Sequence, residues 1–483
     1  MEKIGQFFRG WWLTITLGVL GAGLRLPNLS QPSQLVFDET YYAKDAWALL
    51  NNGYESKYIE NADALILDGQ KDVLLNEGSF IVHPPVGKWL IAIGESIYGL
   101  NPFGWRIMAA LVGIAMVLVI HRVALRLFQH QLAAFLAALF FTIDGMAIVH
   151  SRVALLDQFL TFFLLLAFAC LLADRDMLYR KLQNGEQLRR IRPWLILAII
   201  FTALAVATKW SALWFAPVFA GFIVFYGLRV RIRLGMLSVW KRVLRDDVVP
   251  LVPIALFLVP SIYILSWSGW FLTDNGWMRN AQSDTPLPDA LQNLIDYHIA
   301  MWNFHVNLTV SHSYSANPWT WPLQIRPTSF FFESYANGKN GCSSNGCAAE
   351  VLALGNPLIW WAGTLALVHQ LWRIIRYIDA RSVLILGFFL AGWMPWLFFQ
   401  ERTVFGFYTI VLLPAIVLAL AYSLSLILGS PYQIRLGRAK AAAGVGVFVT
   451  ASVLVSIFFY PIWVGEVIPY TYWQMHMWFS SWI

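Results

Sequence analysis

The stretch LTITLGVLGAGLRLPNLSQPSQLVFDETYY, residues 13–42, joins an apolar run to two adjacent carboxylates. The apolar run near residues 10–27 is long enough to cross a bilayer as a helix. Asp38 and Glu39 follow about ten residues beyond it, and they therefore emerge at a membrane surface. This order predicts a membrane helix that delivers an acidic pair to one face of the bilayer.

The composition of the whole chain is typical of a membrane protein. Hydrophobic residues make up 58% of the 483 residues and charged residues 13%, whereas an ordinary soluble domain carries about 25% charged residues. The mean hydropathy is +0.59. The first apolar run lacks a small-residue cleavage site, so it predicts an anchored helix and not a cleaved signal peptide.

Apolar segments recur along most of the chain and predict about eleven transmembrane helices. The fold class expected from them is an all-α polytopic membrane protein whose two ends lie on opposite sides of the bilayer. The segments lie near residues 10–27, 104–120, 131–149, 153–173, 193–208, 210–228, 248–267, 351–372, 382–399, 404–427 and 441–460.

The distribution of basic residues predicts the orientation of these helices. With the N-terminus in the cytoplasm, roughly 22 of the Lys and Arg residues fall on the inner side and about 12 on the outer side, as the positive-inside rule requires. The basic segment 229–247 is then a topology anchor facing anionic lipid, so the net charge of +7 does not indicate nucleic-acid binding.

Most residues outside the predicted helices fall on the external side, which favours a site on that face. The segment Thr40–Gly53 is predicted to form a short helix that ends at Asn52 and Gly53. Its aromatic and leucine residues suit an amphipathic helix at the membrane interface. The chain is expected to form a single membrane unit, 1–483, with external segments 28–103, 268–350 and the Trp-rich tail 461–483.

Ionisable side chains near the outer ends of the predicted helices form the strongest chemical pattern. A charge at membrane depth costs several kcal/mol unless it is paired. Structural ion pairs explain any single one of these residues, but several on the side of Asp38 favour a cationic pocket for an anion such as phosphate. The residues are Arg25, Arg106, Asp144, Arg152, Asp157, Lys209 and Arg402.

A series of motifs in fixed order resembles the polyprenyl- or dolichyl-phosphate-mannose–protein mannosyltransferases, multi-span enzymes of the GT-C architecture. The resemblance covers nearly the whole chain. The motifs are FDETYY (37–42), VHPPVGKW (82–89), FGWRIMAA (103–110), DGMAIVHSRVALLDQFL (144–160), ATKWSALW (207–214), LGNPLIWW (354–361) and ERTVFGFY (401–408).

One departure from the family pattern places the chain among its compact bacterial members, similar to those of actinobacteria. Eukaryotic members carry a β-trefoil domain in the external loop that corresponds to 268–350, and this loop is too short to hold one. The resemblance therefore implies a polyprenyl-phosphate-mannose donor, Ser or Thr hydroxyls of secreted or membrane proteins as acceptors, and an active site on the external face of the plasma membrane.

The reaction explains why these residue types are needed. A sugar on a lipid phosphate already has a good leaving group, so the leaving oxygen needs no general acid, in contrast to glycosidases. A Ser or Thr hydroxyl is a weak nucleophile and needs a base, and cations must stabilise the departing phosphate. A single displacement of this kind inverts the anomeric carbon.

By resemblance, Asp38 is the general base and Glu39 beside it positions the base or the acceptor. Arg106 looks like the family arginine that contacts the lipid phosphate, and Lys209 and Arg402 are further candidates for that anion. No cofactor is expected; an acidic pair is also able to hold a divalent cation, which leaves Asp38 and Glu39 as a candidate metal site.

Other residues have two interpretations each. Asp157 follows Arg152 by five residues, an offset that argues against an intrahelical pair, so Asp157 either gives structural support or takes part in catalysis and substrate binding. His83 precedes two prolines and is either a substrate contact or a turn cap. Trp319 and Trp321 are candidates for stacking on sugar or peptide. Cys342 and Cys347 can form a disulfide around an Asn-Gly turn or remain free thiols.

Two alternative functions fit the sequence less well. Another GT-C transferase, which moves a sugar to a glycolipid or polysaccharide, shares the acidic first-loop motif but explains the HPP, SRxxLLD and TKW motifs less well. A lipid or solute transporter requires charges near the bilayer midplane in repeated halves, whereas here the charges lie near one face and the sequence shows no repeat.

Overall fold

The computed structural model describes residues 2–188, 191–282, 286–429 and 435–483. Small parts of two predicted cytoplasmic loops (189–190 and 430–434) and of the second long loop (283–285) lie outside this description. Helices dominate the first half of the chain. They are α1 (Glu2–Arg25), α2 (Glu39–Asn52), α3 (Ala62–Leu67), α4 (Val86–Tyr98), α5 (Pro102–Phe128), α6 (Gln131–Ile143), α7 (Gly145–His150), α8 (Leu156–Gln183), α9 (Pro193–Val206) and α10 (Phe215–Arg233).

The second half adds further helices and most of the β-structure. The helices are α11 (Val239–Val243), α12 (Leu251–Ser266), α13 (Ser268–Leu272), α14 (Asp289–Asn307), α15 (Pro357–Tyr377), α16 (Ala380–Trp393), α17 (Leu413–Ile427), α18 (Arg435–Val464) and α19 (Tyr470–His476). The strands of the whole chain are β1 (Ser56–Tyr58), β2 (Leu74–Gly78), β3 (Thr328–Tyr335), β4 (Cys347–Ala353) and β5 (Ile468–Pro469).

Each predicted span coincides with helix for most of its length. Within the described ranges, six helical stretches are long and apolar enough to cross a membrane, and three shorter apolar helices accompany them: Gln131–Ile143, Pro193–Val206 and Leu413–Ile427. The six are Pro102–Phe128, Leu156–Gln183, Trp210–Arg233, Val239–Ser266, Ala380–Phe398 and Gly437–Val464.

Two predicted spans need correction. The segment 131–149 is broken at Asp144, which ends α6 and caps α7 by accepting from the Met146 backbone N–H at 3.0 Å. The other Asp144 carboxylate oxygen accepts from the Asn356 backbone N–H at 2.9 Å and from the indole of Trp360 at 3.1 Å. The segment 351–372 begins as the end of β4, and its helix starts only at Pro357 because Asn356 provides the N-cap.

Two small antiparallel sheets modify the all-α expectation. β1 pairs with β2, and β3, β4 and β5 form a three-stranded sheet in that order. The β3–β4 hairpin is closed by a disulfide between Cys342 and Cys347. Because β5 comes from the tail, the second sheet ties the tail to the long loop before α15.

The termini of several buried helices converge and create the functional end of the molecule. The first helix ends at Arg25, α2 starts at Glu39, and α8 starts at Leu156. The α2 helix ends as predicted, with Gly53 in the left-handed conformation at φ 79° and its N–H bonded to the Leu49 carbonyl. The helix α5 packs against both α1 and α8, and the loops at their ends meet where Arg152 donates to the Arg25 carbonyl and Glu39 accepts from the Ala154 N–H.

Candidate active site

Asp38 occupies the position before α2, but its carboxylate is not used as a helix cap. The preceding residue, Phe37, adopts a positive φ of 50° and stacks on Phe330 with ring centroids 4.8 Å apart. This anchoring holds Asp38 in place while part of its surface stays accessible to solvent. A carboxylate that is rigidly placed, partly accessible and free of a capping role is available to take a proton.

The surroundings of Asp38 set its pKa in the range that a base needs. Burial raises the pKa of this carboxyl to about 6, opposed by the positive charge of Lys209 and assisted by the negative charge of Asp157. The hydroxyl of Tyr42 donates a hydrogen bond that also lowers the pKa. Asp38 is therefore ionised at neutral pH, yet it is a stronger base than an exposed aspartate.

Lys209 brings a positive charge to this centre. Its Nζ lies 3.0 and 2.9 Å from the two carboxylate oxygens of Asp157 and 4.3 Å from the ring centroid of Tyr408. An ammonium carries three N–H donors, and Asp157 takes two of them. Among the residues that the structure describes, the third donor has no hydrogen-bond partner, so it is available to an incoming anion. Asp157 is thus the ion-pair partner of Lys209, and its structural or catalytic role stays a prediction.

A second cation, Arg402, is held beside two histidines. Its Nε donates to the His305 carbonyl at 2.8 Å, and one terminal nitrogen lies 3.3 Å from the Nδ1 of His305. The ring of His305 stacks on that of His83 at 5.1 Å. Burial holds the pKa of His83 well below its usual value, and nearby cations including Lys209 push it in the same direction. His83 is therefore neutral and does not add to the charge.

Glu39 and Arg106 form a closed ion pair. The five N–H donors of Arg106 reach both Glu39 oxygens, at 2.8 and 2.7 Å, and the backbone carbonyls of Leu29, Pro32 and Gln34. The Glu39 oxygens accept two further backbone N–H bonds. Both side chains are fully buried and all five N–H donors of Arg106 are engaged within the protein, so this geometry favours a positioning role for Arg106 over the phosphate contact expected from the sequence.

This pairing also bears on the candidate metal site. Since both oxygens of Glu39 are occupied by N–H donors, the Asp38–Glu39 pair does not fit a divalent cation, which needs free carboxylate oxygens. Over the described ranges, no group of three or more His, Cys, Asp or Glu side chains is arranged to hold a metal.

Three other residues expected to contact substrate, Arg152, Trp319 and Trp321, differ in their surroundings. The guanidinium of Arg152 donates to the carbonyls of Arg25, Pro27 and Asn28. Trp321 is 2% exposed, with its indole N–H on the Ala316 carbonyl, so it cannot stack on a sugar. Trp319 is 57% exposed and remains a candidate.

An apolar groove of about 440 Å³ begins next to the histidines. The Trp210 indole donates to the Tyr263 hydroxyl at 2.9 Å, and that hydroxyl lies 2.8 Å from the Nε2 of His298. The Trp210 ring is 5.9 Å from that of His305, which connects the groove to the Arg402 cluster. It is lined by Trp210, Tyr263, Leu294, Ile295, His298, Ile299 and Trp302.

Sequence reasoning missed the residues that complete this site. Tyr42 and Tyr408 lie within the quoted motifs, and Tyr42 follows Asp38 by four residues, about one helical turn, which is a usable signal for Tyr42 alone. His305 and His298 lie in α14, seven residues apart and on one helix face. The same spacing is expected for two histidines of a helix core. Because nothing else in the segment indicates packing against His83, the sequence did not identify them as site residues.

A bundle of apolar helices with a carboxylate, two cations and an apolar groove at one end defines a membrane-embedded transferase of the GT-C fold. The same fold is found in the Saccharomyces cerevisiae protein O-mannosyltransferase Pmt1–Pmt2 complex bound to the sugar donor, with a TM-score of 0.75, 15% identity, and 98% and 92% of the two chains covered. ArnT from Cupriavidus metallidurans bound to undecaprenyl phosphate aligns with a TM-score of 0.51, 14% identity and coverage of 93% and 70%.

The chain belongs to the dolichyl-phosphate-mannose-protein mannosyltransferase family, whose model matches residues 15–268. A model of the C-terminal four-span region of protein-O-mannosyltransferase matches residues 290–482. The polyprenol-phosphate-mannose–protein mannosyltransferase of Mycolicibacterium smegmatis is 33% identical, covering 98% of this chain and 93% of that protein. The Mycobacterium tuberculosis enzyme of the same name is 32% identical, with 98% and 92% covered. The resemblance seen in the sequence is confirmed.

Proposed function

We propose that this enzyme transfers mannose from a polyprenyl-phosphate-mannose lipid to Ser or Thr hydroxyls of proteins. The observation that carries the assignment is Asp38: a partly accessible carboxylate, not used as a cap, with a pKa of about 6 beside Lys209. The named relatives act as polyprenol-phosphate-mannose–protein mannosyltransferases, which supports mannose as the sugar and protein as the acceptor.

In the proposed step, Asp38 takes the proton of the acceptor hydroxyl as its oxygen bonds to the anomeric carbon of mannose. The bond between that carbon and the phosphate oxygen breaks on the opposite side, so the product has inverted configuration. The lipid phosphate leaves with the bonding electron pair. Lys209 and Arg402 stabilise the charge that develops on it.

The donor lipid is assigned to the groove and the cations beside it. Arg402 uses three of its five donors within the protein and is partly exposed, which leaves donors for phosphate oxygens. The groove that starts at Trp210 is apolar and suits a prenyl chain. A phosphate between Lys209 and Arg402 then places the sugar next to Asp38.

Feeding membranes with radiolabelled polyprenyl-phosphate mannose and a Ser/Thr peptide tests this function. Label in the peptide supports protein mannosylation. Label in a glycolipid or polysaccharide fraction supports the alternative GT-C transferase. If neither fraction carries label, both functions are contradicted.

The membrane arrangement belongs to the same proposal. About eleven spans place the N-terminus in the cytoplasm, and segments 28–103, 268–350 and 461–483 outside, in a single catalytic unit of the plasma membrane. The excess of Lys and Arg on the inner side supports this orientation, and the disulfide in the second external segment fits an oxidising compartment.

Thiol labelling of intact cells checks the orientation. Cysteines introduced at the exposed positions Asp72 and Ser334 are expected to react with an impermeant maleimide, whereas one at exposed Ser238 is expected to react only after the cells are opened. The native background is low because Cys170 is buried and the other two cysteines are paired. Labelling of Ser238→Cys in sealed cells contradicts the orientation.

The pH dependence of transfer follows from the raised pKa of Asp38. Only the ionised carboxylate accepts a proton, so the rate is expected to be constant above about pH 7 and to fall as the pH drops through about 6, approaching tenfold per pH unit. Initial rates between pH 4.5 and 8 at saturating donor measure this limb. A rate that stays constant down to pH 4.5 excludes Asp38 as the titrating base.

A further inference from the structure

A polar cavity of about 710 Å³ lies beside the loop that leads to Asp38, apart from the apolar groove. The loop residues 27, 28 and 31–34 form one side of it, and β3 and the end of α18 form the others. Its volume falls within the range of about 300–1,000 Å³ that is typical of small-molecule sites. The mechanism above does not use this cavity.

The side chains that line the cavity offer both donors and acceptors. Glu333 accepts from Gln34 Nε2 at 3.1 Å and from the Tyr335 hydroxyl at 2.5 Å. Glu466 and Asn340 are exposed and line the cavity, and Asn340 contributes an amide. Two carboxylates, amides and aromatic rings around one space are suited to a ligand with many hydroxyl groups, since a hydroxyl both donates and accepts.

Arg152 supplies a second and independent indication of a ligand. Its side chain lines the cavity, is 3% exposed, and has a Nε with no hydrogen-bond partner among the residues that the structure describes. Its terminal nitrogens are held by the carbonyls of Arg25, Pro27 and Asn28. A buried N–H without a partner costs free energy unless a ligand accepts from it.

We propose that this polar cavity is a carbohydrate subsite, which holds a mannose residue already attached to the acceptor protein. The Arg152 charge offsets part of the charge of Glu333 and Glu466, so the cavity suits a neutral polyhydroxyl ligand better than an anion or a strongly basic peptide. The inference rests on the proposed function, because it requires that mannosylated protein be present at this face.

The position of the cavity explains what such a subsite does. Gln34 lines it and is four residues before Asp38, so the two are at most about 14 Å apart along the backbone. A protein held there by one mannose presents a neighbouring Ser or Thr to Asp38. Acceptors with clustered hydroxyls are then modified repeatedly, and earlier transfers favour later ones.

Equilibrium binding to the full-length protein in lipid nanodiscs tests the subsite. The probes are a Ser/Thr peptide that carries one mannosyl-serine and the same peptide without mannose. Glu333→Gln and Glu466→Gln are each expected to weaken binding of the mannosyl peptide about tenfold, since a charge-assisted hydrogen bond is lost. Binding of the plain peptide stays unchanged. Glu60→Gln, at an exposed glutamate of the first long loop, is the matched control and leaves both affinities unchanged.

Two outcomes overturn the proposal. Equal weakening of both peptides shows that the cavity binds polypeptide and not sugar, and unchanged affinity in both cavity variants shows that no mannose is held there. Transfer of labelled mannose to the plain peptide is measured on the same preparations. If transfer persists while the subsite test fails, the carbohydrate subsite is rejected and the proposed function stands; if the native protein shows no transfer, the proposed function itself fails.

Discussion

Asp38→Asn is expected to lower mannose transfer by about 10²-fold or more in a protein that still folds and inserts. The amide keeps the size and polarity of the side chain but cannot accept the proton of the acceptor hydroxyl. Because the carboxylate is not a helix cap and Phe37 holds the loop through its ring contacts, the substitution leaves the local structure intact. Single-turnover transfer to a Ser/Thr peptide measures the chemical step.

Stability gives this variant an internal check. The pKa of Asp38 is raised in the folded protein, so its contribution to stability is present at low pH and is lost as the pH rises through about 6. At pH 7.5 Asn avoids the cost of a buried charge, and the melting temperature is expected to be equal or slightly higher. Asp72→Asn, at an exposed acid between α3 and β2, is the matched control. Near-normal turnover of Asp38→Asn assigns the base to another residue.

Much of the fold could be predicted from the sequence because membrane helices are marked by length and hydrophobicity. The limits appear where tertiary contacts override the local pattern. Asp144 interrupts an apolar run, and its break is stabilised by bonds to Asn356 and Trp360, more than 200 residues away. The backbone at Gly145 also lies so close to the Trp463 ring that any side chain there would collide with it. The segment 131–149 alone gives no indication of Asn356, Trp360 or Trp463.

The sequence predicts which residue types form the candidate site, but only partly which side chains contact one another. Asp38, Asp157 and Lys209 lie far apart in the sequence, and the only link between them is that Asp157 and Lys209 are predicted at the outer ends of helices on the side where Asp38 emerges. That argument locates a charge at one face but does not identify its partner. The pair Lys209–Asp157 and the stack of His305 on His83 depend on helix packing, for which a single sequence carries no signal.

Arg106 shows the same limit most clearly. An arginine near the start of a membrane helix is equally consistent with phosphate binding and with an internal ion pair. The decision depends on the backbone carbonyls of Leu29, Pro32 and Gln34, which converge on its guanidinium. Three carbonyls of an irregular loop leave no pattern in the sequence, so the donor count that excludes a free N–H became available only from the structure.

Arg106→Ala is expected to destabilise the protein by about 3–5 kcal/mol, because it leaves the buried carboxylate of Glu39 without its partner. The loop carbonyls that Arg106 binds lose their donor as well, so the segment that positions Asp38 loosens and transfer is lost together with stability. Arg106→Lys retains the charge but not the five-donor fork, and it is expected to recover only part of both losses. Thermal unfolding in detergent and transfer at saturating donor measure the two effects.

Arg402→Ala is the comparison that separates positioning from phosphate binding. Arg402 is partly exposed and has unused donors, so its loss is expected to raise the donor KM about tenfold or more with little change in melting temperature. The Arg106 variants are expected to show the opposite pattern: a large fall in melting temperature, and a loss of transfer that a higher donor concentration does not restore. A normal melting temperature for Arg106→Ala combined with a selective loss of donor affinity would falsify the positioning role and return Arg106 to the lipid phosphate.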